Sequence, residues 1–212
     1  EDPPDFSNLP HAKIAWSMPI YGPVPSGVYQ NHLAVASYAS RYMKVNDVGS
    51  IPIVGVTDKM YLHSASNTLV RQFLESDCTH LFWSEMDMMM PFYTIPALLS
   101  HDVPISSGVY FLLFKREVFE NIEPPWFDLK EGWNNEKSIK TGYGQDVFFY
   151  SKVKDAGIDV WIDSSIHCVQ VDIKHVSIVD YRERIQAEDF ESNGFIIESE
   201  GTGRMKEASI PA

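Results

Sequence analysis

Residues 79–84, Thr-His-Leu-Phe-Trp-Ser, constrain the fold of this chain more than any other stretch. The run is apolar at consecutive positions through Leu81, Phe82 and Trp83, and successive residues of a strand face opposite sides. A strand apolar on both faces needs a sheet covered on both faces, as in parallel α/β proteins. The run then breaks into Ser84-Glu85-Met86-Asp87, three methionines and Pro91.

The rest of the chain supplies partners for such a strand. Lys13 to Met18 is a short β-like run that Pro19 stops, followed by the Gly- and Pro-rich loop from Tyr21 to Gly27. Val28 to Lys44 carries apolar residues on one helical face, Ile51 to Val56 is a second β-branched run, and Ser64 caps a helix through Leu69, Val70, Phe73 and Leu74. Tyr93 to Ser100 reads as a short helix and Pro104 to Tyr110 as a fourth strand. Phe111 to Phe114 is extended, and Arg116 to Ile122 turns helical. A loop rich in Trp, Asn and Gly, from Trp126 to Gly144, leads to a helix from Asp146 to Ala156 that Gly157 caps. Ile158 to Ile162 and Ile166 to Val171 are short strands. The strand–helix alternation through residues 13–110 predicts an α/β fold with a mostly parallel sheet and helices on both faces. One domain is expected over residues 11–181, between an N-terminal arm (1–10) and a C-terminal extension or tail (182–212).

Charge narrows the partners. Seventeen Lys and Arg face 29 Asp and Glu, a formal net charge of -12. No basic stripe is visible, which argues against nucleic acid as a partner. An acidic protein can still hold a diphosphate through a metal cation or a helix N-terminus. The two cysteines, Cys78 and Cys168, read as reduced thiols, and with them the expected setting is cytoplasmic. No apolar run reaches about 18 residues, so no transmembrane segment is expected.

Four stretches can carry chemistry. Glu85 and Asp87 stand two apart at the carboxyl end of a buried strand, where open α/β sheets place their ligands. Two hard oxygen donors suit Mg²⁺ or Mn²⁺ shared with a substrate diphosphate. The same pair would also serve as a plain solvated strand end. Gly142-Tyr143-Gly144-Gln145-Asp146 precedes a helix, so Asp146 is either an ordinary N-cap or an acid aimed at a substrate hydroxyl. His167, Cys168 and His175 contain no CxxC or HxxxH spacing for a closed zinc site; a single histidine ligand for a metal or phosphate fits better. Pro19-Ile20-Tyr21-Gly22 and Ala65-Ser66-Asn67 fall where backbone N–H groups can meet a nucleotide, and ordinary turn chemistry explains them equally. The methionines 86 and 88–90 read as core filler. Trp126, Phe127 and Trp133 either anchor a loop or stack on a sugar ring.

Taken in order, Pro19-Ile20-Tyr21-Gly22, Ala65-Ser66-Asn67-Thr68-Leu69-Val70, Thr79 to Asp87 and Gly144-Gln145-Asp146-Val147-Phe148-Phe149 resemble the GT-A glycosyltransferases. The likeness is nearest to the small family-2-like group of viruses and bacteria, and it spans roughly residues 13–181. The resemblance implies a nucleotide-diphospho-sugar transferase fold, a nucleotide-sugar donor, a glycan or other hydroxyl acceptor, and Mn²⁺ or Mg²⁺ as cofactor. Glu85-Met86-Asp87 then looks like the DxD motif, with Asp87 on the metal. Gly144-Gln145-Asp146 looks like Gly-Glu-Asp, with Asp146 and Gln145 catalytic. Pro19, Tyr21, Asp58, Ser66, Asn67, Met86 and Gly108 become nucleotide-sugar contacts. His175 is the expected third metal ligand, with His167 and Gln170 competing for that place.

Four features depart from the pattern. Glu85 replaces the first Asp, Gln145 replaces Glu, Ser66 stands where many members have Arg, and Gln170 aligns with the usual histidine. Members also carry a loop that covers the donor between the equivalents of Tyr110 and Phe111; in this chain it is either absent or a mobile lid. The expected function is metal-dependent sugar transfer from a UDP- or GDP-sugar to a hydroxyl. A non-catalytic sugar- or nucleotide-binding module on the same scaffold is the alternative. A nucleotidyltransferase is disfavoured, because Pro19 to Gly27 holds two glycines and no basic residue.

Overall fold

A computed structural model describes residues 6, 9–20, 22–42, 61–108, 111–134, 139–171, 199–200 and 204–205. The β-branched run at 51–56, together with Tyr21, Asp58, His175 and the boundary expected at 181, lies outside the described residues. The chain divides into two compact units, Glu1–Val171 and Asp172–Ala212.

The first unit is built on a five-stranded sheet. In spatial order its strands are β1 (Ile14–Ser17), β2 (His80–Trp83), β5 (Leu112–Lys115), β4 (Ile105–Ser107) and β8 (Val160–Ile162). β1 runs parallel to β2 and β4 parallel to β8, while β5 opposes both β2 and β4. Four of the five strands therefore share one direction, as the two-sided burial of β2 requires. Their carboxyl ends line one edge of the sheet.

Alternation along the strands divides the core into two layers. Ile14, Trp16, Phe82 and Leu113 pack with Val35 and Ala39 of α1 (Ser26–Tyr42) and with Ile95, Leu98 and Leu99 of α3 (Thr94–Ser100). Ala15, Leu81, Trp83, Ile105 and Phe114 turn the other way. They meet Leu69, Val70 and Phe73 of α2 (Leu62–Glu75), Val118 and Phe119 of α4 (Arg116–Glu120), and Phe149 and Val153 of α5 (Gln145–Asp155). Phe6, from the expected N-terminal arm, is buried in the first layer. Met86, Met88 and Met90 are buried as well, which is the core role expected of them.

Several details differ from the sequence reading. Helix α2 begins at Leu62, because the Ala65 N–H already bonds the Tyr61 carbonyl at 2.9 Å; Ser64 sits inside the first turn and caps nothing. The far end of α2 is satisfied by Arg116, whose guanidinium donates to the carbonyls of Leu74, Ser76 and Cys78. Basic groups at a helix C-terminus meet both its orphan carbonyls and its dipole. The stretch read as one loop, 126–144, contains an antiparallel hairpin of β6 (Lys130–Asn134) and β7 (Ile139–Tyr143). Its polar composition hides it from a search for apolar alternation, and Gly142 at φ 149° adopts a backbone that a side chain disfavours. β5 follows β4 closely: Ser107 pairs with Leu112, and the Gly108 N–H bonds the Phe111 carbonyl at 2.9 Å. The site of the expected loop, at Tyr110, lies outside the described residues.

Two small pieces complete the description. β3 (Met88–Met89) pairs antiparallel with β9 (Val169–Gln170). In the second unit, β10 (Ser199–Glu200) pairs antiparallel with β11 (Arg204–Met205).

The buried imidazole of His80 in β2 sets an acid limit on this fold. Burial, reinforced by the Lys115 charge beside it, pushes its pKa down to about 4. The unfolded chain, with an ordinary histidine near 6.5, binds more protons between those values. Stability should therefore fall as pH drops from about 6.5 towards about 4, by at most about 3 kcal/mol from this group. Urea unfolding near neutrality and at about pH 4.5 should show a smaller acid loss in His80→Gln than in the parent; equal losses would contradict the assignment.

Candidate active site

The carboxyl edge of the sheet gathers residues that lie far apart in sequence. Pro19 follows β1 and is buried, Glu85 to Asp87 follow β2, and Gly108 follows β4. The turn after β2 is anchored from both sides. The Ser84 N–H bonds the Ser17 carbonyl at 3.2 Å, and the Ser84 hydroxyl accepts the buried Trp16 indole N–H at 2.8 Å. Met86 points inward and is fully buried, with Gly22 close above it. Glu85 and Asp87, on either side of it, remain half-buried.

The two acids feel each other. Burial raises the Glu85 carboxyl above the usual carboxylate range; a hydrogen bond from the Trp83 side chain works against this, and the Asp87 charge adds to it. Asp87 is held by β9, with the Gln170 carboxamide donating to its Oδ2 at 3.1 Å and the Val171 N–H bonding its carbonyl at 2.7 Å. Gln170 thus occupies the place that the resemblance gave to a histidine. His167 is exposed.

The facing wall comes from the start of α5. Gly144 is the N-cap, so Gln145 and Asp146 are the first and second helical residues, and Asp146 is not the cap itself. A carboxylate at that position still gains from the helix dipole. Asp146 Oδ1 lies 2.8 Å from where a Cβ on Gly144 would stand, so only glycine fits there without displacing the acid. One turn on, burial and the Asp146 charge push the Tyr150 phenol up to about 12.

Glu85, Gln145 and Asp146 line two hollows. One, about 570 Å³, is completed by Tyr61, Leu62, His63, Leu129 and Gly144. The other, about 180 Å³, has a largely aromatic lining. A separate hollow of about 430 Å³ beside α4 and β8 contains none of the expected residues. The expected residues point to the first two: Glu85 and Asp146 line both, whereas the acids of the third are Glu117 and Asp159.

Two of the departures from the family pattern meet here. Buried Ser66 has its hydroxyl 3.3 Å from Gln145 Oε1 while donating to the Leu62 carbonyl at 2.8 Å. A neutral pair fills a spot where the pattern has charged residues. Asn67 is engaged by the chain itself. Its Nδ2 donates to the carbonyls of His63 (2.8 Å) and Phe127 (2.6 Å), and its Oδ1 accepts the N–H groups of Trp126 (2.9 Å) and Phe127 (3.2 Å). Trp126 and Phe127 are both buried, as loop anchors would be, and Phe127 also lines the smaller hollow. Gly108 packs against Ile166, where a Cβ would stand 3.3 Å from that side chain.

Trp83, Tyr150, Tyr61 and His63 were not foreseen as site residues. Tyr150 follows Asp146 by one helical turn, a spacing that was available in the sequence. Tyr61 is 80% exposed and stacks on His63 at 5.9 Å; no local sequence signal marks that pair.

The donor set fits a divalent cation shared with phosphate. Glu85 and Asp87 repel each other, and among the described residues neither has a Lys or Arg ion-pair partner. The two carboxylates form an all-oxygen set, too small for a closed cage, and the Gln170 amide nitrogen holds one of them. Mg²⁺-type ions ordinarily use one or two carboxylates and complete their shell with phosphate and water. No cluster of three or more His, Cys, Asp and Glu occurs among the described residues.

No protein-family model and no curated protein matches this chain. Among solved structures it is similar to A197 from STIV, with a TM-score of 0.51 and 15% identity, covering 76% of this chain and 86% of that one. It is also similar to a protein from Desulfovibrio desulfuricans G20 classed as a nucleotide-diphospho-sugar transferase (TM-score 0.45, 10% identity, 82% of this chain and 88% of that one). A third is a Drosophila β-1,4-galactosyltransferase 7 mutant in complex with manganese, UDP-Gal and xylobiose (TM-score 0.43, 15% identity, 80% and 73%). At these identities the likeness is one of fold: a mixed α/β chain with a mostly parallel central sheet. No helix among the described residues is long and apolar enough to cross a membrane.

Asn67→Ala should leave the Trp126 and Phe127 amides without their acceptor, at a cost of about 2–3 kcal/mol. Because Phe127 stacks on Trp83 at 5.6 Å, the near-ultraviolet circular dichroism of the aromatic cluster should weaken with it. An unchanged melting point would contradict the clamp.

Proposed function

We propose that this chain is a metal-dependent glycosyltransferase of the GT-A type, moving a sugar from a UDP- or GDP-sugar to a hydroxyl acceptor. The observation that carries this reading is the convergence of Glu85, Gln145 and Asp146 on one cleft at the carboxyl edge of the sheet, with the Asp87 charge acting on Glu85. Ligands of open α/β sheets bind at that edge. The 570 Å³ hollow falls in the range of roughly 300–1,000 Å³ typical of small-molecule sites.

In this reading Asp87 and Glu85 hold the cation, with the Gln170 carboxamide positioning Asp87. When bound, Mn²⁺ or Mg²⁺ supplies Lewis-acid stabilisation of the charge that develops on the leaving diphosphate. Gln145 and the backbone near Ser66 orient the donor, and Pro19 and Gly108 border the same edge. Tyr21 and Asp58 keep the roles the resemblance implies. If the anomeric centre inverts, the acceptor oxygen forms the new bond as the bond to diphosphate breaks, and Asp146 takes the hydroxyl proton. If it is retained, Asp146 orients the sugar.

Asp87→Ala should weaken Mn²⁺-dependent binding of the nucleotide sugar by on the order of 100-fold, read by titration calorimetry after a thermal-shift screen of UDP- and GDP-sugars with and without Mn²⁺. Unchanged affinity would remove the metal role. Donor hydrolysis in Mn²⁺ separates the enzyme from a binding module: slow release of free sugar supports transfer chemistry, and tight binding with none supports the module.

A further inference from the structure

The smaller hollow, about 180 Å³, lies between the sheet and α5 and opens on the same rim as the larger one. Strand register builds its floor. Trp83 of β2 pairs with Leu112 of β5, and Leu112 pairs with Ser107 of β4. Residues paired across strands project to one face, and here that face is the one α5 covers. Phe127 stacks on Trp83 and, at 4.9 Å, on Phe149, while Phe114 meets Phe149 edge-on at 5.7 Å. The row continues from Leu112 through Ser107 to Ile162 of β8, and at Ser107 the side chain is short, with its hydroxyl turned onto the Gly108 carbonyl.

The size and lining restrict the occupant. At 180 Å³ the recess is smaller than pockets that take a whole ligand, so it takes a group carried by one. The Leu112, Phe114, Phe127 and Phe149 side chains offer a polar group no partner for the water it would lose; the polar side chains beside them are Ser107, whose hydroxyl already donates to the Gly108 carbonyl, and Tyr150, next to Asp146. The neck is different. Glu85 and Asp146 accept hydrogen bonds when ionised, and the Gln145 carboxamide can donate and accept. The matching group is apolar at its tip, with one N–H and one carbonyl at its base.

We propose that this recess selects an N-acetylated sugar over its plain hydroxyl counterpart. The acetyl methyl rests on Trp83, Leu112 and Phe149, the amide N–H donates to a rim carboxylate, and the amide carbonyl accepts from Gln145. The inference rests on the reading of the cleft as a nucleotide-sugar site and adds the chemical class of the sugar.

Saturation-transfer NMR tests it with N-acetylglucosamine and N-acetylgalactosamine beside glucose and galactose, in Mn²⁺ with UDP or, separately, GDP. The acetyl methyl should receive the strongest saturation, and the N-acetylated sugars should bind about tenfold more tightly than the plain ones. Ser107→Leu and, independently, Leu112→Phe should remove that preference, with thermal unfolding confirming an intact fold. Equal affinities, an unsaturated methyl, or a preference that survives in the folded variants would overturn the inference. Nucleotide titration of the same samples keeps the two claims apart: nucleotide binding without sugar preference overturns this inference alone, and loss of nucleotide binding overturns the donor reading beneath it.

Discussion

A strand buried on both faces can present charge only where it ends, and β2 is such a strand. Leu81 and Trp83 face one helical layer and Phe82 the other. Neighbours on each side, β1 and β5, leave β2 no free edge. The first polar side chains able to reach solvent after it are Glu85 and Asp87, and the burial of Met86 between them fixes the turn on which they ride. The remaining parts of the cleft follow from what must cover the face bearing Trp83. Helix α5 does so through Phe149 and Val153, and its first turn carries Gln145 and Asp146 to the same rim.

The departures from the GT-A pattern look different once placed in three dimensions. Taken singly, Ser66 and Gln145 each suggest a decayed site. They are in contact, and Ser66 is fully buried. A lone charge there would be costly, whereas a neutral pair is not. Ser66 and Gln145 therefore make a polar contact in which neither partner is charged. Gln170 acts similarly on Asp87, donating a neutral amide hydrogen where a histidine was expected.

The fold was legible because its signals are local and repeated. The apolar run through Leu81, Phe82 and Trp83 announced the covered sheet, and helical periodicity placed α1, α2 and α5 to within a few residues. The hairpin of β6 and β7 was not legible: Trp133, Ile139 and Tyr143 stand among charged residues and glycines, without the regular apolar alternation by which strands are found. Of the candidate residues, Glu85 and Asp146 could be named from spacing and strand position and line the same two hollows; Asp87, named with them, lines neither. The duties of Asn67 and Ser107 could not, because each depends on a partner in another element. Asn67 reads locally as a helix-start residue able to meet a ligand, yet its amide is committed to a loop about 60 positions away. Ser107 reads as an ordinary strand serine until register sets it beside Leu112 and Trp83.

The proposed function makes one geometric claim: Glu85 and Asp87, at the end of β2, would hold a cation beside the hollows that Glu85, Gln145 and Asp146 line. A crystal structure grown with Mn²⁺ and UDP or GDP tests it, since the metal's anomalous scattering locates it independently of the protein. The account predicts a Mn²⁺ peak roughly 2.1 Å from an Asp87 carboxylate oxygen, with the diphosphate on its open side and Asp146 across the cleft. A peak elsewhere on the protein, or a nucleotide bound away from this edge of the sheet, would contradict it.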